Sequence, residues 1–272
     1  MLSNSAFHSM EPVQVSGTAR VDADSPPDVA VSVPIAERWL MNGLEVMRPP
    51  AFVLAVDVNM SAALEHKERL RAQGQRITFV HIVARAAALG LRTCPELHRS
   101  LLGNSRVSHG AINVSLSVHA ETFVAPLLLV ENADRKTLEQ IAEEVTRAAP
   151  VVREEERKRM RVLNTAGWIL PFGFMRRALI RILSRCRFFR RPAGSIQITY
   201  APEVDYAIPL TFATTAILCF GKVQQRVVAL DGKPAVQPMM TLVCSADHRL
   251  WNGKDGQRFV NAVKDAIETM SV

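Results

Sequence analysis

An apolar, strand-like run from Met239 to Val243 leads through Ser245-Ala246-Asp247-His248-Arg249-Leu250-Trp251-Asn252-Gly253 into a helical pattern. In that pattern Phe259, Val260, Val263, Ala266 and Ile267 fall on one face. A strand feeding a helix across so short a connection puts the residues between them on a tight turn, where a side chain can project into a cleft. His248 stands in that turn with Asp247 and Arg249 on either side, and Gly253 is expected to permit a sharp exit. Imidazole is the side chain best matched to moving a proton near neutral pH. A lone histidine in a polar turn is more often structural, so the rest of the chain has to decide its role.

The ordered part reads as alternating strands and helices. Ala51 to Val58, Ala111 to His119 and Phe123 to Val130 are strand-like, and Asp231-Gly232 marks a hairpin between Arg226–Leu230 and Val236–Ser245. Ala62 to Gln73 is a charged amphipathic helix ending near Gly74, and Thr78 to Leu91 is a more buried one. Asn132-Ala133-Asp134 leads into a further helix through Leu138, Ile141 and Val145. Residues 1–32 form a Ser-, Pro- and Asp-bearing arm, expected to be disordered or laid over a neighbouring subunit, and 33–272 form one large domain.

Hydrophobic residues at 48% and charged residues at 22% are ordinary globular values. Cys94, Cys186, Cys219 and Cys244 have no paired metal-ligand spacing, and the remaining histidines form no metal-like pair, so no metal is expected. With no signal peptide and no apolar stretch of about 20 residues, the expectation is a cytoplasmic protein, with peripheral contact to a membrane left open. A phosphate-binding glycine loop and a nucleophile elbow are both absent, and the arginine-rich segment belongs to no recognised nucleic-acid module.

That arginine-rich segment lies between residues 150 and 192. Arg177, Arg181 and Arg185 recur at helical spacing while Leu179, Ile182, Leu183 and Cys186 share another face, with Phe188-Phe189 beyond. A basic amphipathic helix suits three settings: an extra surface helix packed on the domain, contact with an anionic membrane surface, or recognition of a carrier domain or coenzyme A.

The turn resembles the His-x-x-x-Asp-Gly signature of the chloramphenicol acetyltransferase-like acyltransferases. Asp247-His248-Arg249 followed by Gly253 looks most like the catalytic domain of the dihydrolipoyl acyltransferases of 2-oxoacid dehydrogenase complexes. Further segments resemble that family in the same order: Ile77 to Leu89 before Pro95-Glu96-Leu97, Ala111 to Val118, Val124 to Leu127, Gly194 to Thr199, Ala216 to Leu218, and Pro238 to Leu242. The resemblance runs from about Val33 to the end, interrupted by the 150–192 insert. It implies an α/β fold, a mixed sheet covered by helices, assembled as a homotrimer with active sites between subunits.

It also implies roles. His248 would be the general base, and Thr199 would occupy the position of an oxyanion-stabilising serine. Asn252, where Asp is usual, would order the loop without a charge. Asp247, Arg249 and Gly253 would support the turn, and Trp251, in place of a small aliphatic residue, is either core or a wall of the substrate channel. Arg177, Arg181 and Arg185 are candidates for carrier or membrane contact. No cofactor would be bound; an acyl-coenzyme A or acyl-carrier thioester would be the co-substrate, with no covalent enzyme intermediate.

The leading expectation is a stand-alone acyltransferase that passes the acyl group to a small-molecule hydroxyl, amine or thiol. Two alternatives stand beside it. One is a truncated dihydrolipoyl acyltransferase that uses a lipoyl domain in trans. The other is a non-catalytic trimeric scaffold attached to a partner or membrane through its basic helix.

Overall fold

The apolar run at the C-terminal end is the longest strand of the computed structural model, which describes residues 33–272 except 103–104, 121–123, 185–193 and 212–213. The N-terminal arm, Arg185, Cys186 and Phe188-Phe189 therefore lie outside the described residues. Strands are β1 (Ala51–Asn59), β2 (Arg99–Leu102), β3 (Ser105–Ser108), β4 (Val114–Ser117), β5 (Leu127–Val130), β6 (Ile196–Tyr200), β7 (Ala216–Phe220), β8 (Gln224–Leu230) and β9 (Lys233–Asp247). Helices are α1 (Ile35–Val46), α2 (Ser61–Ala72), α3 (Phe79–Thr93), α4 (Leu138–Ala166), α5 (Gly173–Leu183) and α6 (Gly253–Glu268).

The main sheet runs β1-β9-β7-β6-β4-β5, with β8 paired to β9 and a separate β2–β3 ladder. β6 lies parallel to both β4 and β7 while the other pairings are antiparallel, so the sheet is mixed. The hairpin at Asp231-Gly232 has φ of 50° and 75°, the double left-handed turn that a two-residue connection requires.

Alternation along the strands separates two faces. Val114, Leu116, Ile196, Ile198, Leu218, Phe220, Leu242 and Cys244 enter one core with α3 and α6. The opposite face carries Ser115, Gln197, Thr199, Cys219 and Ser245, between those positions in register. A Cβ on Gly256 of α6 would meet Leu54 Cδ1 and Phe52 Cζ at 3.0 Å, so glycine allows the helix to settle closely on β1. The observed β4 and β5 are shorter than their apolar runs, although Val118 N–H still reaches the Pro126 carbonyl at 2.9 Å.

Two helices depart from the patterning. α1 is not signalled by the sequence, because the α5 surface that covers it comes from far along the chain. α4 starts at a Thr137/Gln140 capping box and runs on through Pro150 to Ala166. Residue 150 thus falls inside a continuous helix, and the excursion proper begins after it.

At the start of α3, His81 Nδ1 accepts the Thr78 N–H at 3.2 Å, a role usually given to Gln or Glu. Burial lowers the His81 pKa from 6.5 to about 4. The unfolded chain therefore binds the proton first, so this contribution to stability is whole above about pH 6.5 and is lost as pH falls toward 4. Unfolding free energy should be about 2 kcal/mol lower at pH 5 than at pH 7 from this residue. His98, also lowered by burial, adds to the same slope. His81→Gln, which keeps the acceptor, should remove the His81 share in urea titrations at the two pH values. An unchanged pH slope would show that His81 does not carry it.

Candidate active site

β9 ends where its two neighbours still hold it. Asp247 N–H donates to Thr215 O and His248 N–H to Pro50 O, both at 2.8 Å. The Asp247 carboxylate is buried and cannot stay charged there unpaired. Arg249 supplies the partner two residues on: its backbone N–H donates to Oδ1 at 3.0 Å, Nε to Oδ1 at 2.9 Å and Nη2 to Oδ2 at 2.7 Å. These bonds hold the Arg249 guanidinium above its ordinary pKa and lock the turn on both sides of His248.

His248 is exposed on that locked turn, its ring 4.8 Å from the Phe52 ring on β1. Nδ1 lies 3.0 Å from the Trp251 carbonyl oxygen. A carbonyl can only accept, so Nδ1 carries the hydrogen and Nε2 keeps its lone pair, the tautomer a general base needs. Trp251 itself is core: its side chain is 1% exposed and meets Phe259 edge-on at 5.1 Å. The channel-wall alternative for Trp251 is thereby corrected. Its indole fills the space under α6 and fixes the carbonyl that orients His248.

Asn252 takes the N-cap position of α6. Its Oδ1 accepts the Asp255 N–H at 2.9 Å and its Nδ2 donates to Asp255 Oδ2 at 2.6 Å. Asn252, in extended backbone at φ −100° and ψ 166°, makes the sharp exit into the helix. Gly253 does not: its φ is outside the left-handed region, and a Cβ there would meet nothing within 4 Å.

Thr199 is not brought to this turn within one chain. It pairs with Cys219, which pairs with Val243, four residues before Asp247 on β9. That separation is about 14 Å along the strands plus two strand spacings of about 4.8 Å. Thr199 also stands on the face opposite Phe52 and the helices, and two groups so placed cannot act on one carbonyl.

Sequence reasoning missed Phe52, Pro50 and Arg106, whose Nη2 donates to the Arg249 carbonyl at 3.0 Å from the β2–β3 hairpin. All three reach the turn through long-range pairing that no local pattern records. Among the described residues, Cys94, Cys219 and Cys244 are buried free thiols. Burial pushes Cys244 up to about 12 and raises Cys219, so neither is an activated nucleophile.

On the basic segment, Arg177 Nη1 reaches Glu45 at 3.2 Å and Arg181 is exposed, both remote in the fold from β9 and its turn. The buried cation there is Arg176, which the patterning did not single out: Nε donates to Asn42 Oδ1, and Nη1 to the Leu170 and Pro171 carbonyls, each at 2.9 Å.

Comparison with known proteins supplies the family. The succinyltransferase component of the 2-oxoglutarate dehydrogenase complex of Pseudomonas aeruginosa is 25% identical over 221 residues, covering 78% of this chain and 47% of that protein. The lipoamide acyltransferase component of the branched-chain alpha-keto acid dehydrogenase complex of Pseudomonas putida is 24% identical over 92% of this chain and 53% of its own length. The chain thus spans about half the length of these relatives. The solved dihydrolipoamide acetyltransferase of Azotobacter vinelandii superposes with a TM-score of 0.68 at 18% identity, covering 94% of this chain and 98% of that one. A probable dihydrolipoamide acetyltransferase of Listeria monocytogenes gives 0.67 at 19% identity, over 89% and 95%. These likenesses establish the mixed α/β fold. The profile described as 2-oxoacid dehydrogenases acyltransferase (catalytic domain) matches residues 44–164 and 204–272, well over half of the sequence, leaving unmatched a stretch that starts at the end of α4. The chain therefore belongs to the 2-oxoacid dehydrogenase acyltransferase family, as an acyltransferase catalytic domain.

Proposed function

We propose that this domain transfers an acyl group between coenzyme A and a dihydrolipoyl thiol, with His248 as general base. The observation that carries the reading is the Nδ1–H to Trp251 O hydrogen bond, which leaves Nε2 basic on an exposed turn braced by Asp247 and Arg249. Nε2 takes the proton of the attacking thiol, and the new thiolate adds to the thioester carbonyl. The tetrahedral oxyanion is stabilised by the Thr199 hydroxyl. As the carbonyl re-forms, the C–S bond to the departing thiol breaks and that sulfur takes the proton back from the imidazolium. Acyl group, proton and electron pairs balance without any covalent bond to the protein.

The Azotobacter vinelandii structure concerns the roles of a serine, a histidine and an asparagine in catalysis. Its histidine and asparagine are four positions apart, as are His248 and Asn252. That parallel supports the assignment of His248, of Asn252 as the residue that caps α6 and orders the turn, and of Thr199 in the serine's place. Because Thr199 and His248 are far apart within one chain, the reading requires a site shared between adjacent subunits of a trimer.

The curated relatives quoted above are lipoamide or dihydrolipoyl acyltransferases. They favour a dihydrolipoyl acceptor, presented by a lipoyl domain, over the small-molecule hydroxyl or amine of the leading expectation. Free coenzyme A and acylated product should be quantified by chromatography with acetyl-, succinyl- and branched-chain acyl-coenzyme A, each offered dihydrolipoamide or pooled hydroxyl and amine acceptors. The expected result is kcat/KM at least tenfold higher with dihydrolipoamide. Efficient transfer to a hydroxyl or amine with none to dihydrolipoamide would replace the acceptor. No transfer at all from folded protein would favour the scaffold.

A further inference from the structure

We infer that the junction of α4 and α5 is a docking face for an anionic phospholipid surface. From Arg157 to Ser184 the sequence holds 7 Lys and Arg and no Asp or Glu, as much as the whole net +7, so the rest of the chain is net neutral. Among the described residues of the α4–α5 junction the aromatic side chains point outward: Trp168 is 70% exposed, Phe172 60% and Phe174 65%, with Ile169 at 65%. Phe172 and Phe174 stack on each other with centroids 5.8 Å apart rather than on the core.

This exposure is built in. Trp39 Nε1 donates to the Gly167 carbonyl at 3.2 Å, and a Cβ on Gly167 would meet that nitrogen at 2.9 Å. Asn164 Oδ1 accepts the Ala36 N–H at 3.1 Å. Arg176 clamps the Leu170 and Pro171 carbonyls to Asn42, as described above. The inner side of α5 thus carries its own fastening, while Trp168, Phe172, Phe174 and Arg181 are left to the outside. Apolar aromatics at the headgroup level with arginines around them match the chemistry of an anionic bilayer surface. Among the described residues no helix is long and apolar enough to cross a membrane, so the contact is one of lying on the surface.

The full chain carries its own reporter. Trp251 is 1% exposed and Trp39 is tied to Gly167, so a change in tryptophan emission on vesicle addition reads Trp168. With vesicles of equimolar phosphatidylcholine and phosphatidylglycerol, the protein should float with the lipid and its emission should shift to the blue. With phosphatidylcholine alone, or at high salt, both signals should vanish. Trp168→Phe should abolish the shift but keep flotation. Arg181→Ala should weaken binding about fivefold, and Phe172→Ser with Phe174→Ser more than about tenfold, with dihydrolipoamide acyltransfer unchanged. Failure of folded protein to float with anionic vesicles would overturn the inference. So would dissociation of an oligomer by the double substitution, which would make the face a subunit contact, or binding of an acidic lipoyl-bearing domain here in preference to vesicles.

Discussion

His248→Ala is expected to lower kcat for acyl transfer by about 10²–10⁴-fold while leaving KM for the acyl-coenzyme A close to its original value. The side chain is exposed and contributes one ring contact, to Phe52, and one hydrogen bond, to the Trp251 carbonyl. Its removal therefore deletes a base rather than a piece of core. Chromatographic measurement of free coenzyme A and S-acyl dihydrolipoamide formed under saturating substrates is the direct measurement, with circular dichroism to show that the turn's neighbours still fold. Because the ring is open to solvent, added imidazole should restore part of the lost rate. A decrease of less than tenfold would remove His248 from the role of base and move attention to another group near the turn.

Thr199→Val is expected to cost about 10²–10³-fold in kcat, the usual effect of losing one oxyanion donor, and Thr199→Ser should recover most of it. Valine keeps the shape of threonine on β6, so a loss of activity without a loss of stability isolates the hydroxyl. The more decisive experiment mixes the two inactive variants. The register Thr199–Cys219–Val243 keeps Thr199 away from the turn of its own chain. If the site is shared around a trimer, random mixing of His248→Ala and Thr199→Val chains rebuilds about one site in four, from an intact histidine and an intact threonine on adjacent subunits. Activity near a quarter of wild type, arising only after subunit exchange, is the expected outcome. An inactive mixture with exchange demonstrated by mass would place both groups' function within one chain or remove Thr199 from the chemistry.

The basic helix and the turn differ in how much of them could be read from residue order. Strand β9, the Asp231-Gly232 hairpin and helices α2, α3 and α6 were legible because their signals are local: a two-residue left-handed turn, a capping residue, an apolar face repeating at helical spacing. The beginning of α4 was legible from its cap, but its length was not, since Pro150 looks like a boundary and proves to lie inside a helix. α1 left no clear trace because its partner, α5, lies more than a hundred residues away and only tertiary packing gives its apolar side something to cover.

At the site, residue order placed His248 on a polar turn between Asp247 and Arg249, while the role of each of these and of Asn252, and the thioester chemistry, came from the family resemblance of the turn. Whether Trp251 faced a channel or the core depended on what stands across from it, and that is Phe259 of α6. The need for glycine at residue 253 likewise dissolved once Asn252 was seen to make the exit. Which nitrogen of His248 is basic follows from a carbonyl three residues on, and the distance to Thr199 follows from the pairing of three strands. Chain order preserves which groups are near neighbours along the backbone, so it carried the turn and the motif on which the resemblance rests. It holds no record of burial or register, because both are made by segments that meet only when the sheet closes.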